Sequence, residues 1–430
     1  VTEIRYARAG ETHVAFRTLG EAGGTDVVMV AAALFPFEML AEDRVASRFT
    51  EGLTALGRLV VFDKRGVGLS DPVTDWSRSL QDQWAEDLLA VIDDAGLERP
   101  VVVSWEQHGV ARFAAAARPG TFSSMVLINP SQTTAGFVRD LQRQSGQMLP
   151  NRSIEEMAFP SRIDDEGFTS WLSRSGRSGA SPSTASRIWA HLLGFTSSLT
   201  PPGISTPTLL LHNRDCRQSE AEVRAVAEHL AHATFVQVAG RDVYPIAGEV
   251  DTLTAEIAEF VTGVRVELAP ERCIAAVLFT DLVDSTQRAA DAGDAHWRDL
   301  LDVHDHAVQR CVRHHGGRIV KYTGDGVLAL LPSAAGALET ARSIIEGLTE
   351  QGLQVRVGIH VGDVDVRGDD VSGLAVNVAA RVMASAKAGE TLASEAARQA
   401  TLGTGQRFEE VGATRLKGLP GEWRLFRWVP

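Results

Sequence analysis

The stretch at 318–331, RIVKYTGDGVLALL, constrains the fold more than any other part of the chain. Apolar runs flank Tyr322-Thr323-Gly324-Asp325-Gly326. Glycines on both sides of one Asp allow a tight turn that most side chains would strain. The flanking 319–320 and 327–331 have strand character, so the segment predicts a β-hairpin. Its tip sets Lys321 and Asp325 near one another on a rigid support. Taken alone, such a tip is equally well a surface turn with a solvated charge pair.

An upstream partner shifts that balance. The segment AAVLFTDLVDST at 275–286 predicts a buried strand that ends on Asp281 and runs into a Ser/Thr-rich helix start. Asp281 and Asp325 lie 44 positions apart (325 minus 281). Two carboxylates at neighbouring strand ends suit hard divalent cations, since Mg²⁺ is held by one or two carboxylates together with substrate phosphates. Together the two stretches resemble the catalytic core of the class III nucleotidyl cyclases.

With 430 residues the chain is expected to hold two or three domains. A net charge of −13 argues against a nucleic-acid partner, which calls for a basic face. Cys216, Cys273 and Cys311 are odd in number and widely spaced, which predicts neither a disulfide framework nor a zinc site. No signal peptide opens the sequence and no apolar run reaches the ~18 residues of a membrane span. The expectation is a soluble, cytoplasmic protein.

The first domain is expected over 1–262. Short apolar runs at 27–33, 59–62, 100–103, 125–128 and 208–212 alternate with helical patterns, notably at 79–95, which predicts an α/β sheet. The segment VFDKRGVGLSD at 61–71 resembles the signature after the fourth strand of α/β-hydrolases, and STPTLLLH at 205–212 resembles the strand before their catalytic acid. That family's nucleophile sits on a sharp G-x-S-x-G turn. Here the stretch reads Ser104-Trp105-Glu106-Gln107-His108-Gly109, with Glu106 in the serine's place. The acid position is kept as Asp215, the histidine position holds Val243, and Ala31-Ala32-Ala33 replaces the usual His-Gly of the oxyanion segment. The resemblance therefore implies a pseudohydrolase with a helical cap near 131–200. A capped pocket without its nucleophile suits a sensor of a small apolar ligand; a folded spacer or dimerising module is an equal alternative. An active esterase-like hydrolase regulated by the second domain is the rival reading, and it lacks both Ser and His.

A Gly, a Pro and mixed charges mark a linker at 263–272. The second domain, 273–430, reads as strand, long helix, the hairpin, helix, strand, helix and short strands, an α+β sandwich of ferredoxin-like type. The resemblance to class III cyclases runs along nearly its whole length. It implies a metal set of Asp281, Leu282 and Asp325 for two divalent ions, Mg²⁺ or Mn²⁺. It implies Lys321 and Asp370 as the purine-reading pair, with Asp369 one register away. Asn377 and Arg381, spaced i, i+4 and so on one helix face, correspond to the pair that orients the ribose and stabilises the transition state. Lys417 corresponds to a triphosphate lysine. Val283, Asp284, Ser285 and Thr286 open a helix whose backbone N–H groups can receive phosphate oxygens. A Lys donor and an Asp acceptor complement the adenine edge, so the implied activity is conversion of ATP to 3′,5′-cyclic AMP. In this family one site draws its carboxylates and its purine pair from different chains, which implies a homodimer.

Overall fold

Alternation along short apolar strands builds the first sheet. The computed structural model describes residues 3–105, 108–130, 156–194, 201, 203–266, 271–367 and 370–430. The chain divides into two compact units, Val1–Leu268 and Ala269–Pro430. In the first unit the strands are β1 (Arg5–Ala9), β2 (Thr12–Leu19), β3 (Val27–Val30), β4 (Leu59–Phe62), β5 (Val101–Trp105), β6 (Ser124–Ile128), β7 (Thr208–Asn213) and β8 (Ala233–Val238). The helices are α1 (Arg44–Thr54), α2 (Leu80–Asp94), α3 (His108–Ala117), α4 (Glu166–Gly179), α5 (Pro182–Gly194), α6 (Glu220–Ala227) and α7 (Val250–Thr262).

The strand order is β1-β2-β4-β3-β5-β6-β7-β8. β2 runs antiparallel to its neighbours, and from β4 to β8 every pairing is parallel. This is the α/β-hydrolase arrangement. Side chains along a strand alternate between faces. Val27, Met29, Val101, Val103, Leu209 and Leu211 therefore pack with Phe49 and Leu53 of α1 and Leu253 and Ile257 of α7. Val28, Val30, Val60, Val102 and Leu210 pack on the other face with Trp84 and Leu88 of α2 and Val110 and Ala114 of α3. Ser79 starts α2 by accepting the Gln81 N–H, as the 79–95 pattern predicts.

Of the expected cap, α4 and α5 are described, and Trp171 of α4 donates its indole N–H to the Met39 carbonyl at 2.9 Å. Residues 131–155 and 195–200, and Glu106, Gln107 and Asp369, lie outside the described residues.

The second unit holds β9 (Glu271–Leu282), α8 (Ser285–Ala292), α9 (Asp294–His314), β10 (Arg318–Tyr322), β11 (Gly326–Leu331), α10 (Ala334–Thr349), β12 (Val355–Arg367), β13 (Asp370–Ser372), α11 (Leu374–Ala384), β14 (Thr391–Ser394), α12 (Glu395–Gln399), β15 (Arg407–Thr414) and β16 (Trp423–Val429). β9 begins inside the segment expected as linker. The sheet order β10-β11-β9-β12-β14-β16-β15, with its first four strands antiparallel, contains the β-α-β-β-α-β core of the ferredoxin-like fold. Leu278, Leu282 and Val327 pack under Val308 and Val312 of α9 and Leu338 and Ile344 of α10. The opposite face, with Ala275, Val277, Phe279 and Leu328, lies under Ala375 and Ala379 of α11. α11 comes so close to β12 that a Cβ on Gly358 would stand 2.1 Å from the Met383 nitrogen.

Candidate active site

Asp281 stands at the end of β9, opposite Gly326 of β11 and Arg356 of β12. The Leu282 N–H donates to the Asp325 carbonyl at 3.0 Å, so the two expected metal carboxylates arise from backbone segments in direct contact. The predicted hairpin is formed, and its tip is closed by the Thr323 N–H on the Gly326 carbonyl at 2.8 Å. Gly324 has φ +96, and a Cβ on Gly326 would lie 2.1 Å from the Thr280 carbonyl, so both positions require glycine. Asp281 and Asp325 are partly exposed.

Lys321 Nζ lies 2.9 Å from Asp370 Oδ1. The ammonium, followed by the Val371 N–H, holds the Asp370 carboxyl below its ordinary range. Asp370 thus meets Lys321 directly; the alternative register, Asp369, is outside the described residues. Asn377 and Arg381 are exposed on α11, and neither side chain has a hydrogen-bond or ion-pair partner among the described residues. Leu416 packs with Val378 and Val382 of α11, which sets exposed Lys417 beside the helix that carries Asn377 and Arg381. Val283 and Asp284 form the turn into α8, the Val283 N–H donating to the Gln354 carbonyl at 2.9 Å. Asp284 is left-handed with φ 57, a conformation Asp tolerates better than most residues. Its carbonyl accepts from the Arg288 N–H, so the amides of Ser285 and Thr286 precede the first intrahelical bond of α8.

The sequence reading missed Arg356. Its Nε and Nη2 lie 2.8 and 2.5 Å from Asp281 Oδ2. The signal was available, since a strand that pairs with β9 must present some residue opposite Asp281, but the register was not.

Residues 268–427 match the family model described as the adenylate and guanylate cyclase catalytic domain. The C-terminal unit is a class III cyclase domain. An adenylate cyclase of Streptomyces coelicolor is 35% identical over 109 residues, which cover 25% of this chain and 29% of that protein. The chain spans less than a third of the length of the curated relatives it matches, 24% and 31% in two of them. The crystal structure of an adenylate/guanylate cyclase/hydrolase from Silicibacter pomeroyi is 29% identical, covers 37% of this chain and 98% of its own, and has a TM-score of 0.34. For the first unit, the enol-lactonase of Burkholderia xenovorans is 18% identical, covers 60% of this chain and 100% of its own, and has a TM-score of 0.49.

The donor set of the cyclase domain fits a hard divalent cation. Asp281 Oδ1 and the Asp325 carboxylate carry no hydrogen bond among the described residues, and oxygen donors are what Mg²⁺ and Mn²⁺ take.

In the hydrolase-fold unit Glu106, the position expected for the nucleophile, lies outside the described residues. Ser104 is fully buried within β5. Asp215 is exposed, its N–H on the Gly240 carbonyl. Val243 is buried, packed in the cluster that holds Phe159 and Tyr244. Asn129 and Asn213 tie the loop down, with Asn129 Nδ2 on the Val243 carbonyl at 2.8 Å and Asn213 Nδ2 on the Asp242 carbonyl at 2.7 Å. Buried Lys64, also missed from sequence, donates to the Ala31 and Ala32 carbonyls at 2.9 and 3.0 Å. No helix among the described residues is long and apolar enough to cross a membrane.

Proposed function

We propose that this chain is an adenylate cyclase that converts ATP to 3′,5′-cyclic AMP and pyrophosphate, with a degenerate hydrolase-fold unit as its sensor. The observation that carries the reading is the Lys321–Asp370 contact. Adenine offers an N1 acceptor and an N6 donor, which a Lys donor and an Asp acceptor complement; guanine, with O6 and N1–H, reverses both.

The 3′ oxygen attacks the α-phosphorus in line and a 3′ O–P bond forms; the bond from the α-phosphorus to the α,β-bridging oxygen breaks, pyrophosphate leaves with that oxygen, and the hydroxyl proton passes to solvent water. Asp281, Asp325 and the Leu282 backbone carbonyl would hold two divalent ions, Mg²⁺ or Mn²⁺, which when bound would acidify that hydroxyl and neutralise charge on the leaving pyrophosphate. Asn377 orients the ribose. Arg381, four residues on along α11, offers guanidinium donors to the charge that builds on the phosphoryl oxygens. The amides at 285–286 and the Lys417 ammonium hold the triphosphate.

Two copies of the chain complete two sites, each taking its carboxylates from one copy and its purine pair from the other. In support, Lys321 and Asp370, the purine pair, already meet within one chain. The test is product analysis of the full chain with Mn²⁺ and either ATP or GTP. Cyclic AMP from ATP is expected. No cyclic nucleotide overturns the reading, and preferential cyclic GMP overturns its adenine part. Equal rates for the full chain and for residues 264–430 would remove the sensor.

A further inference from the structure

Asp281 and Arg356 face each other across the β9–β12 ladder, in direct register. Both guanidinium contacts, at 2.8 and 2.5 Å, fall on one oxygen, Oδ2. The pair is half-sheltered, with side-chain exposures of 35% for Arg356 and 19% for Asp281. Asp325, the other carboxylate of the set, has no such cation among the described residues. The two carboxylates are therefore unequal: one is neutralised by the chain itself and one is not.

We infer that Arg356 is a built-in counter-ion that competes with a divalent cation for Asp281 and holds the substrate-free carboxylate pair in a low-affinity state. The inference rests on the reading of Asp281 and Asp325 as the metal set. A guanidinium stays protonated at any ordinary pH, so deprotonation cannot relieve the competition. A cation that takes Oδ2 has to displace Arg356 by rotating its side chain away from β9. A cation that takes only Oδ1 sits beside a positive charge. Either route weakens binding. Asp325 is accordingly the first contact for an incoming ion, and Asp281 closes the site second.

The test is a Mn²⁺ titration of the full chain without nucleotide, followed by the EPR signal of free Mn²⁺. Removing one unit charge a few Å from a dication is expected to tighten binding about tenfold in Arg356→Met. Adding Asp281→Asn to that variant is expected to abolish the gain. Arg356→Lys keeps the charge and the strand but loses the two-donor fork, and is expected to gain about threefold; it decides the matter if Arg356→Met fails to fold. Affinity in both folded variants equal to or weaker than that of the wild type overturns the inference. Cyclic product without any such gain counts against Arg356 alone. A gain without cyclic product counts against the reaction and leaves the counter-ion standing.

Discussion

Lys321 and Asp370 touch although their strands are not hydrogen-bonded neighbours: β10 pairs with β11, and β13 with β12. Lys321 stands opposite Leu328, which stands opposite Phe279, close to the Asp281 end of β9. Asp370 stands opposite Arg367, at the far end of a β12 that is 13 residues long, about 40 Å if straight. The two meet because the end of β12 folds over the sheet, where Val364, Val366 and Val371 join Phe279, Leu328 and Leu330 in one apolar cluster. The ion pair itself is exposed, 50% and 65% by side chain, and such pairs add little stability. Packing makes this contact.

Reversing the pair should reverse the base preference. Lys321→Glu combined with Asp370→Cys is expected to lower the ATP-over-GTP ratio of kcat/KM by about 100-fold or more, because a base edge set against the wrong donor and acceptor discriminates strongly once the bound base covers the pair. Steady-state kinetics with both nucleotides measures it. An unchanged ratio would show that other groups read the base.

Loss of a metal carboxylate or of the purine-reading lysine should stop turnover, while mixing the two kinds of variant should recover it. Asp281→Ala and Lys321→Ala are each expected to fall to about a thousandth of wild-type activity or below. Mixed as chains of one dimer, they leave one intact site. Activity that stays at the level of the separate variants would exclude sites shared between copies.

Arg381 and Asn377 should act on the chemical step. Arg381→Lys or Asn377→Ala is expected to lower kcat by about 10²–10³ with little change in KM, the pattern of donors used in the transition state. A raised KM at constant kcat would make them ground-state binding residues instead.

Acid should destabilise the cyclase domain through His360. This ring is 8% exposed, its Nδ1 is 2.7 Å from Ser394 Oγ, and burial pushes its pKa from 6.5 down to about 4. The folded state therefore binds fewer protons than the unfolded state between these values. Its contribution is full above about pH 6.5 and is lost as the pH falls toward 4. Denaturant unfolding at pH 7 and pH 5 should differ by about 2 kcal/mol from this group. His360→Gln should flatten that slope, and a slope unaltered in the variant would assign the acid sensitivity elsewhere.

Local patterning carried much of this structure into view before any coordinates. Apolar runs such as 59–62 and 208–212 read as strands because both sheet faces bury them, and the hairpin tip read as a turn because its glycines leave little alternative. β1, β2 and β8 are not legible there. β1 and β8 are edge strands, and all three have mixed burial, so neither an apolar run nor clean alternation marks them. The helix start expected at 283–286 is α8, a short helix of its own that the sequence gives no end for, and only Gly293 separates it from the long helix α9. At the site, the resemblance to class III cyclases names Asp281, Asp325, Lys321 and Asp370 as candidates. Arg356 escaped because its partner is set by antiparallel register, and Lys64 because a lysine at 1% exposure contradicts what its side chain ordinarily does.

The fold-over of β12 makes nucleotide choice a matter of curvature. If an apolar cluster decides where Asp370 stands, then the volume of Val366 or Val371 is a dial on selectivity, though neither side chain need touch a base. Relatives that share every polar group of this pair can then still differ in how sharply they tell one purine from the other.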